Sequence, residues 1–286
     1  MKISGETRVC AVIGDPVEHS LSPCIHNAAF QDRGLDYVYV AFTVKEKELK
    51  SAVLGVKSLG IYGLNVTMPH KVNIMQYLDR LDETARKVGA VNTVLNDVEM
   101  VGYNTDGLGA LNALKAHGGD PYGKKVIILG AGGASRSISF AIAQEARELI
   151  ILNRTPKKAE ILASKISITI GKKVRWEKLC GYLLAEELKD ANIIINATSV
   201  GMHPNDSETP VDENLLRRDL TVFDLVYNPQ ETRLLREAKS VGARIVDGLT
   251  HLVYQGAASF EIWTGIEAPV DVMMKTARDK LKSIKM

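Results

Sequence analysis

An amine and a carboxylate follow two predicted strands of this 286-residue sequence. Residues 63–68 are predicted to form a strand stopped by Pro69, with Asn65 and Thr67 on one side and Lys71 beginning a helix to about residue 81. Because the helix dipole disfavours a cation at a helix N-terminus, Lys71 is expected to have a role that compensates for this unfavourable position. Asp106 begins a later predicted helix, and it is interpreted either as an N-cap or as a carboxylate partner for Lys71.

The turn Gly130-Ala131-Gly132-Gly133-Ala134-Ser135 is suited to bind a phosphate. It lies between a predicted strand at 124–129 and a predicted helix at 136–145, and a second strand is predicted at 149–152. Gly130 permits a tight exit from the strand, and Gly132 lacks the side chain that would block a pyrophosphate. Ser135 stands where a third glycine is usual and only partly replaces it. A ligand-free glycine turn is the alternative, but the flanking elements favour a dinucleotide-binding unit.

The segment after the second strand indicates which dinucleotide would bind. An NAD site usually has Asp or Glu there, whereas this chain has Asn153, Arg154, Thr155 and, one turn later, Lys158. Arg154 could stack on adenine and pair with a 2′-phosphate, with Thr155 and Lys158 as further donors. The sequence therefore predicts NADP rather than NAD, and a solvated basic loop is the alternative.

Further polar side chains follow the other predicted strands. Ser20 and Ser22 follow the strand at 8–14, and Ser22 is expected to N-cap a helix that runs to about residue 33. The two hydroxyls would also suit a substrate carboxylate beside a helix N-terminus. Residues 198–202 and 225–229 are expected at the strand ends where parallel sheets bind ligands. Gln255 lies on a largely apolar predicted helix at 249–264, facing either solvent or a cleft.

Composition excludes several classes of protein. With 45% hydrophobic and 24% charged residues and a net charge of +2, the chain is typical of a globular enzyme and has no basic stripe for nucleic acid. Its apolar runs are of strand length, so no membrane span or signal peptide is predicted and a cytoplasmic location is expected. Cys10, Cys24 and Cys180 are interpreted as buried free thiols, and no metal site is predicted.

The order of elements predicts an α/β fold of two domains. In the first half, strands are expected at 8–14, 37–44, 63–68 and 89–95 with helices at 22–33, 45–59, 71–81 and 107–118. In the second, strands at 193–199, 221–227 and 244–247 and a helix at 232–241 complete a doubly wound parallel sheet. The predicted domains are 1–106, completed by roughly 252–286 including a helix at 270–282, and a Rossmann domain at 107–251.

Taken together, these motifs resemble the shikimate dehydrogenase family over essentially the whole chain, including Gly89-Ala90-Val91-Asn92-Thr93 and Tyr254-Gln255-Gly256. The resemblance implies an NADP-dependent alcohol dehydrogenase that reduces 3-dehydroshikimate to shikimate in aromatic amino-acid biosynthesis. It implies that Lys71 is a general acid and base paired with Asp106, and that the first domain binds substrate. The implied substrate residues are Ser20, Ser22, Asn65, Thr67, Lys71, Asn92, Asp106, Tyr227 and Gln255. The implied cofactor residues are Gly130, Ala131, Gly132, Gly133, Ala134, Asn153, Arg154, Thr155, Lys158, Thr198, Ser199, Leu225 and Gly248.

One position departs from the family pattern, and three other functions share some of its motifs. His251 replaces a methionine expected near the nicotinamide; it could alter the pH profile, but a hydrogen-bonded histidine at a helix start is favoured. A quinate/shikimate dehydrogenase would share Lys71 and Asp106. A methylenetetrahydrofolate dehydrogenase fits the paired serines poorly, and a noncatalytic NADP- or metabolite-binding module would bind without turnover. A homodimer is left open as the assembly.

Overall fold

The computed structural model describes residues 3–284, and the chain divides into two compact units. One unit comprises Met1–Thr105 and Val253–Met286, and the other comprises Asp106–Leu252. Each unit contains a six-stranded sheet with helices around it, so the predicted α/β fold class is confirmed. The predicted domain limits extend to residues 1, 2, 285 and 286, which lie outside the described residues.

The sheet of the first unit is mixed. Its strands are β1 (Arg8–Gly14), β2 (Tyr37–Thr43), β3 (Gly63–Val66), β4 (Arg80–Leu81), β5 (Thr93–Asn96) and β6 (Met100–Tyr103), in the order β2-β1-β3-β5-β6-β4. β1 is parallel to β2 and β3, whereas β5 is antiparallel to β3 and β6. Consequently β1, β3 and β6 end, and β5 begins, at the same edge of the sheet.

Within the described residues, five α-helices belong wholly or partly to this unit. They are α1 (Ser22–Asp32), α2 (Leu49–Ser58), α3 (Glu83–Val88), the larger part of α9 (Gly248–Thr264) and α10 (Val270–Ile284), with 3₁₀ helices at Glu46–Glu48 and Asn73–Tyr77. α10 packs along α1. One face of the sheet packs on aliphatic side chains of α2. Aromatic rings also form part of the core: Phe30 stacks on Phe260 with ring centroids 5.4 Å apart, and the Trp263 indole donates to the Val94 carbonyl at 2.9 Å.

Three local predictions in this unit are wrong. No α-helix spans 71–81, because Arg80–Leu81 pairs with β6 and the preceding Asp79 accepts a hydrogen bond from the Met100 N–H at 2.9 Å. Ser22 does not cap α1; it is the first helical residue, and the Ser20 hydroxyl accepts from its N–H at 3.2 Å. The strand predicted from residue 89 begins at Thr93, because α3, capped by Asp82, ends at Val88 and is followed by Gly89 with a left-handed φ of 74°.

The second unit has an all-parallel sheet. Its strands are β7 (Lys125–Leu129), β8 (Glu148–Asn153), β9 (Arg175–Lys178), β10 (Ile193–Asn196), β11 (Thr221–Asp224) and β12 (Arg244–Val246), in the order β12-β11-β10-β7-β8-β9. Its helices are α4 (Asp106–Ala116), α5 (Gly133–Glu145), α6 (Pro156–Ile170), α7 (Gly181–Leu188), α8 (Arg233–Ser240) and the start of α9, with a 3₁₀ helix at Glu213–Leu215. The strand order reverses between β7 and β10, and parallel sheets bind ligands at such a crevice.

Two strands of this unit end earlier than predicted, for the same reason. The Asn196 side chain accepts from the Thr198 N–H at 3.1 Å, and Asp224 accepts from the Val226 N–H at 3.1 Å. A side chain that binds the main chain two residues ahead turns the backbone, so β10 stops at Asn196 and β11 at Asp224. Residues 197–201 and 225–229 are therefore loops at the sheet edge rather than strand ends.

The described residues also bear on membrane-spanning helices, metal sites and the state of the cysteines. Among residues 3–284, no helix has both the length and the apolar character needed to cross a membrane. Within that range there is also no cluster of three or more His, Cys, Asp or Glu side chains arranged to hold a metal ion. The three cysteines are free thiols, but only Cys10 is buried; Cys24 and Cys180 are half-buried, which corrects the sequence prediction for those two.

Candidate functional site

The ends of β1 and β3 approach each other closely in the first unit. The Thr67 N–H donates to the Ile13 carbonyl at 2.9 Å, and the Asp15 N–H donates to the Met68 carbonyl at 3.0 Å. A side chain at Gly14 would collide with the Thr67 methyl group. The predicted carboxylate-binding loop, which carries Ser20 and Ser22, therefore starts beside the segment that carries Thr67 and Lys71.

Lys71 lies in a turn before the 3₁₀ helix rather than at a helix start, so the helix-dipole argument for its role no longer holds. Its carbonyl accepts from the Val91 N–H at 2.7 Å, which places Lys71 next to the segment that carries Asn92. The neighbouring His70 is buried, with its Nε2 atom 2.6 Å from the Val44 carbonyl. The Lys71 backbone is thus held on both sides, while its side chain is half-buried.

Asn65, Asn92 and Gln255 are brought together by hydrogen bonds. The Asn65 amide nitrogen donates to the Asn92 carbonyl at 3.1 Å, and the Asn92 amide nitrogen donates to Gln255 Oε1 at 3.2 Å. Asn92 Oδ1 accepts from the Thr105 N–H at 2.8 Å. Three predicted substrate residues from β3, the start of β5 and α9 therefore form one polar group at the edge where these strands meet.

Asp106 is the first residue of α4 and is only 4% exposed. His251, in the first turn of α9, has its Nε2 atom 3.0 Å from the Asp106 main-chain oxygen, so this nitrogen is the protonated one and donates. The imidazole also lies edge-on to Phe223, with ring centroids 6.1 Å apart. This placement matches the favoured interpretation of His251 as a hydrogen-bonded histidine at a helix start, and it holds the backbone that carries Asp106.

The glycine turn contains two kinds of glycine. Gly130 has a left-handed φ of 107°, and a Cβ there would lie 2.9 Å from the Ala197 carbonyl oxygen, so the fold itself requires glycine. A Cβ on Gly132 or Gly133 would meet no atom of the described residues, 3–284, within 4 Å. Packing therefore does not explain those two glycines, and the open space would let a ligand approach the backbone there.

Ser135 closes this turn in place of the usual third glycine. Its side chain is fully buried, and its hydroxyl donates to the Gly130 carbonyl at 2.6 Å. The hydroxyl thereby ties the first turn of α5 back to the end of β7. Because α5 begins at Gly133, the N–H groups of its first turn open at the crevice of the sheet.

Donor groups gather where β8 ends. The Asn153 side chain donates to the Thr155 carbonyl at 2.9 Å and so shapes the turn, while Arg154, Thr155 and Lys158 are exposed. Lys157 is paired with Glu160 at 2.8 Å. Residues 153–158 contain no carboxylate that could bind ribose hydroxyls. The arrangement is suited to an anionic group such as a 2′-phosphate.

The loops after β10 and β11 carry Thr198, Ser199, Leu225 and Tyr227. A side chain on Gly248 would collide with the Leu225 carbonyl, so only glycine permits this approach of α9 to the loop after β11. Asn196 and Asp224, which the sequence analysis did not single out, join the two loops through a 2.9 Å hydrogen bond. Tyr227 is 37% exposed at this edge.

Asp224 is fully buried, and burial raises the pKa of its carboxyl to about 6, although hydrogen bonds from Thr232, the Val226 N–H and Asn196 lower it in part. Since the folded protein binds this proton more tightly than the unfolded chain, Asp224 contributes stability below about pH 4 that is lost as the pH rises through about 6. The two loops thus depend on a buried carboxyl whose pKa is raised to about 6.

Asp224→Asn should change how stability depends on pH, because asparagine resembles the protonated carboxyl. We expect the free energy of unfolding of the wild type, relative to this variant, to fall by about 2 kcal/mol between pH 4 and pH 7. Urea unfolding of both proteins at several pH values would measure this difference, with pH 4 as the internal control. A difference that stays constant across the range would contradict the raised pKa.

Family models cover most of the chain. Residues 12–94 match the model described as the shikimate dehydrogenase substrate binding domain, and residues 112–250 match the one described as shikimate / quinate 5-dehydrogenase. Residues 248–278 match the model of the shikimate 5'-dehydrogenase C-terminal domain. The three matches follow one another along the chain, from residue 12 to residue 278.

Individual proteins agree with these models. The shikimate dehydrogenase (NADP(+)) of Methanocaldococcus jannaschii is 50% identical over 282 residues, which cover 98% of this chain and 99% of that protein. A crystal structure of a shikimate dehydrogenase in complex with NADP+ has a TM-score of 0.93 and 48% identity, with 98% of each chain covered. The quinate dehydrogenase of Corynebacterium glutamicum in complex with NAD has a TM-score of 0.89 but only 28% identity, with 96% and 99% of the two chains covered.

Proposed function

Because this chain belongs to the shikimate dehydrogenase family, we propose that it catalyses the reversible, NADP-dependent reduction of 3-dehydroshikimate to shikimate. The observation that carries the proposal is the glycine turn after β7. At Gly132 and Gly133, at the start of α5, no atom of the part of the chain that the structure describes lies within 4 Å of the position that a Cβ would take, and exposed donors follow β8. NADPH bound there supplies a hydride to the substrate carbonyl carbon.

The residues after β8 support NADP over NAD. A 2′-phosphate carries the charge that Arg154 complements, and Thr155 and Lys158 add donors from the start of α6. An NAD site would instead need a carboxylate to accept hydrogen bonds from the ribose hydroxyls, and none lies between residues 153 and 158. Thr198, Ser199, Leu225 and Gly248 are proposed to line the rest of the cofactor site.

Two groups of side chains are proposed to hold the substrate. Ser20 and Ser22 would donate to its carboxylate, and Asn65, Thr67, Asn92, Tyr227 and Gln255 would bind its ring and hydroxyls. In support, Asn65, Asn92 and Gln255 share hydrogen bonds, and Thr67 lies beside the start of the serine loop. A polar site of this kind discriminates strongly, because an analogue that lacks a hydroxyl leaves buried partners unpaired.

The proton of the reaction is assigned to Lys71. As the ketone becomes an alcohol, the Lys71 ammonium would give a proton to its oxygen, and in the oxidative direction the amine would take the proton back. Asp106 would hold this amine in position and accept a hydrogen bond from a substrate hydroxyl. The backbone contacts of Lys71 with Val91 and of Asp106 with His251 support this assignment, because a proton donor must be held in place.

A quinate/shikimate dehydrogenase is the second candidate, and it is not favoured. The chain is far more similar to shikimate dehydrogenases than to the quinate enzyme, which was solved with NAD. The donors at Arg154 also argue against a preference for NAD. A noncatalytic module is disfavoured because Lys71, the proposed proton donor, and Asp106, its proposed partner, are both present.

Steady-state kinetics with shikimate and quinate, each tested against NADP and NAD, would examine the proposal. We expect the highest kcat/KM with shikimate and NADP, measured as the appearance of NADPH absorbance. Equal or greater turnover of quinate with NAD would instead identify the second candidate. Binding of NADP without turnover of either substrate would identify a binding module.

A further inference from the structure

Ser259 lies at the centre of a buried hydrogen-bond network in the first unit. Its side chain is fully buried, and its hydroxyl lies 2.8 Å from Thr93 Oγ1 and 3.3 Å from Thr105 Oγ1. It also accepts from the Asn65 amide nitrogen at 3.1 Å and donates to the Gln255 carbonyl at 3.1 Å. One hydroxyl therefore connects α9 with β3, β5 and the segment after β6.

Tyr39 fixes the other end of the Asn65 amide. Its hydroxyl donates to Asn65 Oδ1 at 2.7 Å in the core of the unit. The ring stacks on the buried His26 with centroids 4.5 Å apart and planes at 10°, and the Asn27 side chain bonds both the N–H and the carbonyl of Tyr39. The phenol is thus held by its ring, its backbone and its hydroxyl.

Backbone groups determine which way each amide in this network points. The Asn92 carbonyl can only accept, so the nitrogen of Asn65 must face it and the oxygen of Asn65 must face Tyr39. The Thr105 N–H can only donate, so the oxygen of Asn92 must face it. The nitrogen of Asn92 then faces Gln255 Oε1, so the side-chain oxygen of Gln255 accepts a hydrogen bond from within the protein.

The hydroxyls of Thr93, Thr105 and Ser259 each act as donor or acceptor, and they adapt to the amides around them. Ser259 connects the side-chain amides of Asn65 and Asn92. It contacts Asn65 directly, and it reaches Asn92 through Thr105, whose hydroxyl accepts from the Asn92 amide nitrogen at 2.9 Å. Removing its hydroxyl would loosen both amides at once.

We propose that Ser259 and Tyr39 are positioning residues for substrate specificity: they fix the amides of Asn65, Asn92 and Gln255 in the one orientation that hydrogen-bonds the hydroxyls of a polyhydroxylated ring. The proposal rests on the proposed function, because these three amides belong to the proposed substrate site. Neither positioning residue needs to touch the substrate, and apart from Gly248, eleven residues before Ser259 at the start of α9, the proposed NADP residues lie on other elements. The expected signature is therefore a loss of substrate affinity with unchanged cofactor affinity.

Two nearly isosteric substitutions test this, each with a matched control. Tyr39→Phe removes only the hydroxyl, and Tyr37→Phe does the same on the same strand, where the hydroxyl instead accepts from Arg8 at 2.9 Å. Ser259→Ala removes the central hydroxyl, and Thr264→Val removes another hydroxyl of α9, which bonds the Phe260 carbonyl at 2.8 Å. All four variants lose one hydroxyl, but only two lose a network member.

Kinetics with shikimate and NADP give the decisive readout. We expect Tyr39→Phe and Ser259→Ala each to raise the shikimate KM about tenfold, with the NADP KM and kcat changed less than about threefold. The controls should lose thermal stability to a similar extent but keep the wild-type shikimate KM. In the double variant, the shikimate KM should rise by less than the product of the two single increases, because both substitutions act on Asn65.

The outcomes separate this proposal from the proposed function. Wild-type protein that does not oxidise shikimate would overturn both. Suppose instead that the wild-type protein oxidises shikimate, but that the shikimate KM of Tyr39→Phe and Ser259→Ala is no higher than that of their controls. This result would overturn the positioning role alone. Equal rises in the shikimate KM and the NADP KM would also overturn it, since they would indicate a general loss of structure.

Discussion

Replacing Lys71 with alanine is expected to lower kcat for shikimate oxidation by about 10²- to 10⁴-fold while the shikimate KM changes much less. The reason is that a general acid and base acts mainly in the transition state, where the proton moves between the substrate oxygen and the lysine. The substrate itself would still be held by the serine hydroxyls and the amides of Asn65, Asn92 and Gln255. Steady-state rates in both directions, at saturating NADP or NADPH, would measure the loss.

Two further substitutions separate proton transfer from charge. Lys71→Arg keeps a positive charge and hydrogen-bond donors, but a guanidinium does not give up its proton, so kcat should stay almost as low as in Lys71→Ala. Lys57→Ala serves as the control, because Lys57 is a lysine of the same unit that pairs with Asp79 at 3.0 Å away from the proposed site. If Lys71→Arg restored the rate, or if Lys71→Ala raised KM alone, Lys71 would only bind substrate.

The features that the sequence predicted well are those encoded by neighbouring residues. The glycine turn was recognisable because an apolar strand precedes it and a helix follows it within a few residues, and β7, α5 and β8 form there. β1 has its predicted limits, Arg8–Gly14, because its apolar run ends at a glycine. In the same way, the absence of a carboxylate after β8 could be read directly from residues 153–158.

The features that the sequence did not predict depend on residues far apart in the chain. The expected helix at 71–81 is interrupted because Arg80–Leu81 pairs with β6, and local periodicity carries no information about a partner some twenty residues away. Ser259 lies four residues after Gln255 on a helix read as mostly apolar, and nothing local shows that its hydroxyl meets Thr93 and Asn65. Tyr39 was likewise read only as part of a β-rich strand.

Polar residues at apolar positions would have been the useful signal. Ser259 lies within a largely apolar helix and Thr93 directly before Val94 and Leu95; both are fully buried, and a buried hydroxyl needs a partner. Such positions point to the members of the network, although not to the hydrogen bonds that connect them. The same signal would have drawn attention to Asp224 and Asn196, which follow apolar strands and hold the adjacent loops.

Replacing Arg154 with alanine should raise the KM for NADP by about 10- to 100-fold while the KM for NAD changes little. The expected size follows from the loss of a charge-assisted hydrogen bond to the 2′-phosphate, a group that NAD lacks. Arg154 is exposed after β8, in a turn shaped by Asn153, so its removal should leave the fold intact. Shikimate oxidation with each cofactor would measure both constants.

Lys157→Ala is the matched control for this substitution. Lys157 lies three residues after Arg154 and also carries a positive charge, but it is paired with Glu160 at 2.8 Å. If general positive charge near the end of β8 attracted NADP, Lys157→Ala would raise the NADP KM as much as Arg154→Ala does. A specific contact predicts that only Arg154→Ala lowers the preference for NADP, whereas an equal rise in the KM of NAD would show that Arg154 binds the adenosine common to both cofactors.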